Sequence, residues 1–175
     1  MDFFYCRTPD EAQELISRAV ANVVLPREPV ALENAFGRIL AVDVVSNDNV
    51  PPFSRSTVDG YAVNSADTFG AGETAPTTLS IVGEILMGEA VTACLAPGEV
   101  MAIPTGAMLP VGADAVLMLE HSQKIDDGTL LVLRALAPGE NMVMAGEDIA
   151  RGELLLARGT KIGAAEIGAL AACGF

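Results

Sequence analysis

Histidine is almost missing from this chain of 175 residues: His121 stands alone, which excludes a two-histidine zinc site and any catalytic triad built on several histidines. His121 itself reads as a strand-end residue. Cysteine is scarce too, with Cys6, Cys94 and Cys173 far apart and no Cys-x-x-Cys pair. No metal cage can be drawn from these three, and they suit reduced thiols in a cytoplasm. Basic residues number 10 against 23 acidic ones, for a net charge of −13, and the ten are scattered. Phosphate contacts require clustered Lys and Arg, so a nucleic-acid partner is not expected. No apolar run approaches the ~18 residues of a membrane span. Residues 1–11 (MDFFYCRTPDE) show no basic start leading into a long apolar core. The expectation is a soluble, cytoplasmic chain with no membrane partner.

What is present organises into two textures. A chain of 175 residues buries roughly 70% of its unfolded surface, enough for one ordinary domain or two small ones. Thr8-Pro9-Asp10-Glu11 is a capping box with proline at the first helical position. Ala12, Leu15, Ile16, Ala19 and Val20 then keep helical spacing, which predicts a helix over 9–22. Residues 29–36 (PVALENAF) predict a strand and short helix closed by Gly37, and 38–46 (RILAVDVVS) a strand. From Thr57 onward short β-rich runs alternate with Gly and Pro punctuation: TLSIVGEIL, EVMAIPTG, ADAVLMLE and TLLVLRAL. The Pro-Gly-Glu tripeptides at 97–99 and 138–140 predict turns into strands, and their similarity does not establish a repeat. Leu154 to Leu156 predicts a strand, and Ala164 to Cys173 a helix ended by Gly174. The fold class expected is α+β and β-rich. A mixed α/β subdomain comes from both chain ends (1–50 and 140–175), with a compact β module (51–139) inserted.

One segment fits neither texture. Residues 51–63 (PPFSRSTVDGYAV) begin with Pro51 and Pro52, which fix φ and supply no amide donors, so the chain enters stiffly. Ser54, Arg55, Ser56 and Thr57 then set hydroxyl and guanidinium groups on a short arc. Asp59-Gly60 is expected to turn the chain into a strand from Tyr61 to Val63, leaving Asp59 at the turn's exposed lip. A carboxylate there suits Mg²⁺ or a water, since hard divalent ions prefer oxygen ligands. Thr105-Gly106 follows a proline and precedes small residues, so its amides and hydroxyl can approach an anion, or simply make a tight strand connection. Glu147-Asp148 after Gly146 fits either a cation site or a solvated turn.

The run 51–63 resembles the signature of the molybdopterin molybdenumtransferases, or molybdenum insertases, a family that includes the C-terminal catalytic region of gephyrin. Two later blocks agree in order: 103–120 (IPTGAMLPVGADAVLMLE) with the family's Thr-Gly-Ala loop and Gly-Ala-Asp-Ala-Val strand, and 146–174 with its Gly-Glu-Asp segment and closing helix. The resemblance implies a homodimeric enzyme that transfers molybdate to adenylylated molybdopterin with Mg²⁺, releasing AMP. It implies Asp59 and Thr105 in the catalytic places, Ser56, Thr57, Gly60 and Gly106 around substrate, and Asp59, Glu147 and Asp148 as possible Mg²⁺ ligands. It also implies a pterin-binding domain and a small C-terminal β domain beyond the region seen here, so this region alone is expected to be inactive. The alternative is a non-catalytic dimerisation or scaffolding module.

Two departures stand out. Many relatives carry Asp-Asn-Ser-Ala-Met where this chain has Ser54 to Val58, and Arg55 is expected to compensate charge locally. Relatives usually place an arginine shortly before Glu147-Asp148, whereas residues 141–146 (NMVMAG) have none. The family's substrates are anions, and a chain of charge −13 repels them over a Debye length of ~8 Å.

Overall fold

The computed structural model describes residues 6–175, so the reading of residues 1–5 lies outside the described residues. In chain order the elements are α1 (Pro9–Val20), β1 (Val44–Val45), β2 (Arg55–Ser56), β3 (Gly60–Val63), β4 (Thr77–Glu84) and β5 (Glu99–Ile103). They continue with β6 (Ala115–Met118), β7 (Ser122–Asp126), β8 (Thr129–Val132), β9 (Met142–Val143), β10 (Leu154–Leu156) and α2 (Ala164–Ala172). The fold is α+β and β-rich, as expected.

The capping box forms: Glu11 donates its amide to Thr8 Oγ1 at 3.3 Å, and Thr8 donates its own to Glu11 Oε2 at 2.9 Å. The helix stops at Val20, two residues short of the expected Asn22, and none of its side chains is buried. Its apolar stripe stays open to solvent, with Ile16 64% exposed.

The two ends of the chain meet in an antiparallel pair of β1 and β10. The expected strand over 38–46 shrinks to Val44–Val45, because Ala41 to Asp43 bulge out of the run and the Asp43 carboxylate caps the Arg158 amide at 2.6 Å. Before that bulge the segment still follows its partner: Gly37 and Leu40 donate to the carbonyls of Ile162 and Thr160. Residues 29–36 hold only a single 3₁₀ turn, Leu32–Asn34, rather than a strand and helix. Helix α2 ends one residue early, with Cys173 as its C-cap.

The middle of the chain makes a six-stranded sheet in the order β6-β3-β5-β4-β8-β7, antiparallel except for β4 beside β5. Alternation along β3 and β6 sorts side chains to two faces: Tyr61, Val63, Ala115 and Leu117 join one core cluster, Ala62 and Val116 the other. Both faces are covered, so all four β3 residues are buried.

Sequence reading missed β7, since Ser122–Asp126 carries polar residues and is largely exposed at the sheet edge. Lysine on an edge discourages further pairing. The signal that could have found it is Asp127-Gly128, a two-residue hairpin link before β8. Another unforeseen feature pins the sheet's ends: Asp114 accepts the Ser65 amide at 2.6 Å and the Ser65 hydroxyl at 2.9 Å. Ser65 is 1% exposed, so Asp114→Ala strands two buried donors. The expected loss is about 2 kcal/mol, to be read by denaturant unfolding against wild type.

Candidate functional site

The segment from Pro51 to Asp59 is the seam on which three loops converge. Its Val50–Pro51 bond is cis. At its start, Pro51 and Val50 carbonyls accept the amides of Gly146 and Asp148, each at 2.9 Å. In its middle, Arg55 and Ser56 (β2) pair with Val143 and Met142 (β9), and Ser54 Oγ accepts the Ala145 amide at 3.1 Å. On its other side, Leu109 donates to the Ser54 carbonyl at 3.0 Å and Gly106 to that of Ser56 at 2.8 Å. At its end, Asp59 Oδ1 accepts two hydrogen bonds from Thr105, the amide at 2.8 Å and the hydroxyl at 2.9 Å. The three motif blocks, far apart in sequence, thus lie together.

The Thr105 loop belongs to a turn class this chain uses repeatedly. In Ala96–Glu99, Ala137–Glu140, Met144–Glu147 and Ala150–Glu153 the last residue donates its amide back to the first, around a glycine with φ between 75° and 87°. The second residue of each has ordinary negative φ, which makes these type II turns, the class that accepts proline second and glycine third. In all four the glutamate also folds back, and its carboxylate accepts the first residue's amide at 2.9–3.0 Å. Pro104–Ala107 is the same turn, with Gly106 at φ 85° and the Ala107 amide on the Pro104 carbonyl at 3.1 Å. Here the first residue is a proline with no amide, the fourth is Ala107, and the acceptor comes from outside as Asp59. Asp59 takes the amide of the turn's second residue, as Asn49 does for Arg151 and Asp43 for Arg158.

These contacts revise several expectations. Glu147 Oε2 holds the Met144 amide like its three counterparts, while Asp148 is exposed. Among the described residues no three His, Cys, Asp or Glu side chains group to hold a metal ion, so Asp59, Glu147 and Asp148 do not share one cage. The anion nest expected at Thr105-Gly106 is not open, because the amides of 105, 106 and 107 already have acceptors in Asp59, Ser56 and Pro104. Gly60 is the first residue of β3 rather than the second of a turn. Ser56 is buried at 2% exposure, and its hydroxyl donates to the Val58 carbonyl and accepts the Val58 amide at 3.1 Å. Thr57 is exposed, with its amide on the Asn141 carbonyl at 3.0 Å. Arg55 is exposed and forms no ion pair among the described residues, so the local charge compensation expected of it is not made. Asn141 was missed altogether: it holds φ 60° and donates its side chain to the Val116 carbonyl at 2.8 Å, tying β9 to β6.

The Thr105 amide, and after it the Thr105 hydroxyl, hold the Asp59 carboxyl below its ordinary value of 3.8. A lowered folded-state pKa stabilises the fold above the ordinary carboxylate range, and that contribution is lost as pH falls through the lowered value. Asp126 shifts the same way, chiefly through the Gly128 amide. Carboxyl carbon titration by NMR is expected to place Asp59 below 3.8 in wild type. Thr105→Ala keeps the larger cause, the amide, and raises the midpoint only part-way. Thr105→Pro suits the second position of a type II turn and deletes both donors, so it raises the midpoint further. Equal midpoints in the two variants would contradict this assignment.

The family described as MoeA N-terminal region (domain I and II) matches residues 7–174. The chain belongs to this family. A molybdopterin molybdenumtransferase of Bacillus subtilis (strain 168) is 36% identical over 138 residues, covering 77% of this chain and 32% of the relative. Another, of Staphylococcus aureus (strain MRSA252), is 32% identical over 170 residues, covering 97% and 40%. The crystal structure of a molybdopterin biosynthesis MoeA protein from Pyrococcus horikoshii OT3 superposes with a TM-score of 0.84 at 37% identity, covering 95% of this chain and 43% of that one. The chain therefore spans well under half the length of these MoeA relatives.

Proposed function

We propose that this chain is the N-terminal region of a molybdenum insertase, which transfers molybdate to adenylylated molybdopterin and releases AMP during molybdenum cofactor biosynthesis. The observation that carries this reading is the Asp59–Thr105 pair. Its Oδ1 is fixed by two hydrogen bonds, while Oδ2 takes none from the described residues. A carboxylate anchored at one oxygen and open at the other presents a fixed negative charge without needing to reorganise.

The donor set fits Mg²⁺ in one way only. One open carboxylate is too little for a protein cage, yet Mg²⁺ is commonly held by one or two carboxylates plus substrate phosphates. Asp59 would hold it beside the adenylyl phosphate, and when bound the ion offsets phosphate charge and orients the reacting oxygens. The residues here do the placing. Thr105 fixes the carboxylate, and exposed Thr57 and Arg55 lie on the same short segment, Arg55 as an unpaired cation in a chain of charge −13. Bringing molybdate and a dithiolene together depends on such placement rather than on a protein nucleophile.

We propose two units for the chain, 1–50 with 140–175 and 51–139, in a cytoplasmic homodimer whose pterin-binding wall comes from the rest of the enzyme. Free Cys6, Cys94 and Cys173 fit a reducing compartment. An open groove of about 900 Å³, lined by Val23, Val24, Leu25, Ile39, Val42 and Phe175, supports burial against another surface. The same groove favours the second reading, a scaffolding module. The test is incubation of this chain with adenylylated molybdopterin, molybdate and Mg²⁺. No AMP release above a no-protein control is expected, and turnover would overturn the expectation that this region is inactive alone.

A further inference from the structure

We infer that Ser56, which touches no substrate, is a positioning residue that locks the Asp59 loop and the Thr105 turn to each other. Its backbone grips the turn on both sides: the Ser56 amide donates to the Ala107 carbonyl at 3.0 Å, and its carbonyl accepts the Gly106 amide at 2.8 Å. Its side chain grips the loop. The hydroxyl donates to the Val58 carbonyl and accepts the Val58 amide, one residue before Asp59. Those are the contacts the backbone of Val58 has, because β2 ends at Ser56 and β3 begins at Gly60. Apart from the Asp59–Thr105 bonds, residues 57–59 are therefore held by one amide at Thr57, by Leu119 on the Asp59 carbonyl at 3.3 Å, and by this hydroxyl.

A direct role in binding does not fit the hydroxyl. Ser56 is 2% exposed, and both the proton and a lone pair are in use. Alanine would fill the site almost as well, yet it would leave the amide and carbonyl of half-buried Val58 without a partner inside the protein. The loop would then relax toward water, carrying Asp59 away from the two donors of Thr105. Ser65, as deeply buried and bonded to Asp114, provides a matched comparison at a place that does not touch Asp59.

The consequence for turnover holds only if Asp59 lines the insertion site as proposed above, so the readouts are taken on this chain directly. In Ser56→Ala the Thr105 amide is expected to exchange with solvent roughly tenfold faster. Amides of β3 and β6 should keep their protection, and the Asp59 carboxyl should titrate closer to its ordinary value. Ser65→Ala is expected to lower stability while leaving both readings in place. Ser56→Cys keeps the volume and a weak donor, so it should give a smaller shift in the same direction and serves where the alanine variant does not fold. Wild-type Thr105 exchange and Asp59 titration in Ser56→Ala or Ser56→Cys would overturn the inference, as would equal shifts in Ser65→Ala. If those readings stay put while Asp59→Asn in the longer enzyme destroys activity, positioning by Ser56 fails alone. If they shift while Asp59→Asn is fully active, it is the insertase role of Asp59 that fails.

Discussion

Gly60→Ala is expected to cost at least about 3 kcal/mol of stability and most of the folded yield. A Cβ built on Gly60 lies 1.9 Å from the Leu117 carbonyl oxygen, 2.8 Å from its carbon and 3.2 Å from Met118 Cα. All three atoms belong to the backbone of β6, the strand paired with Gly60 on one side while β5 pairs with it on the other. No side chain can swing aside. The sheet must open between β3 and β6, two strands that both contribute to both core clusters, and Asp59 moves with it because it directly precedes Gly60. Gly72→Ala provides the contrast, since nothing lies within 4 Å of its Cβ position. Chemical unfolding of the two variants decides the point: equal midpoints would mean that β6 has room the geometry denies.

How much of this was legible beforehand depends on which force each element answers to. Strands of the central sheet were visible because their apolar residues alternate or run together against two covered faces, as in β3 and β6. Helix α1 was visible in its capping box, and α2 in its small apolar run before Gly174. The long strand over 38–46 was misjudged for a tertiary reason, since Asp43 leaves the ladder to cap Arg158, over a hundred residues later. The edge strand β7 carries a single apolar residue, exposed Ile125, and so gave no alternating pattern.

The site was legible to the same degree. Asp59 and Thr105 were singled out, and they touch. What sequence could not convey is that the Thr105 amide already has its acceptor, so the pair is one fixed carboxylate rather than a carboxylate beside an anion nest. Glu147 looked like a metal ligand because Gly-Glu-Asp puts two acids side by side. Its place in a turn shared with Glu99, Glu140 and Glu153 emerges only when all four carboxylates are seen folding back on their own loops. Ser56 looked like a binding hydroxyl for a similar reason, since a serine's polarity is written in the sequence and its burial is not.

Asp59→Asn is expected to lower molybdate insertion by roughly a hundredfold or more, the scale for losing one preorganised electrostatic contact. The substitution keeps the shape of the side chain and an oxygen for the Thr105 donors, and removes the charge. Because Asp59 is exposed and asparagine keeps an oxygen for Thr105, the unfolding midpoint should fall only by the small amount its charged form contributes. Mg²⁺ dependence should weaken in parallel, since the open oxygen no longer carries a charge. The measurement is AMP release from adenylylated molybdopterin, with molybdate and Mg²⁺ at saturation, by the longer enzyme that contains this region. The account predicts a rate near background for Asp59→Asn alongside near-wild-type stability. A rate near wild type would contradict it and make the Asp59–Thr105 pair a structural cap.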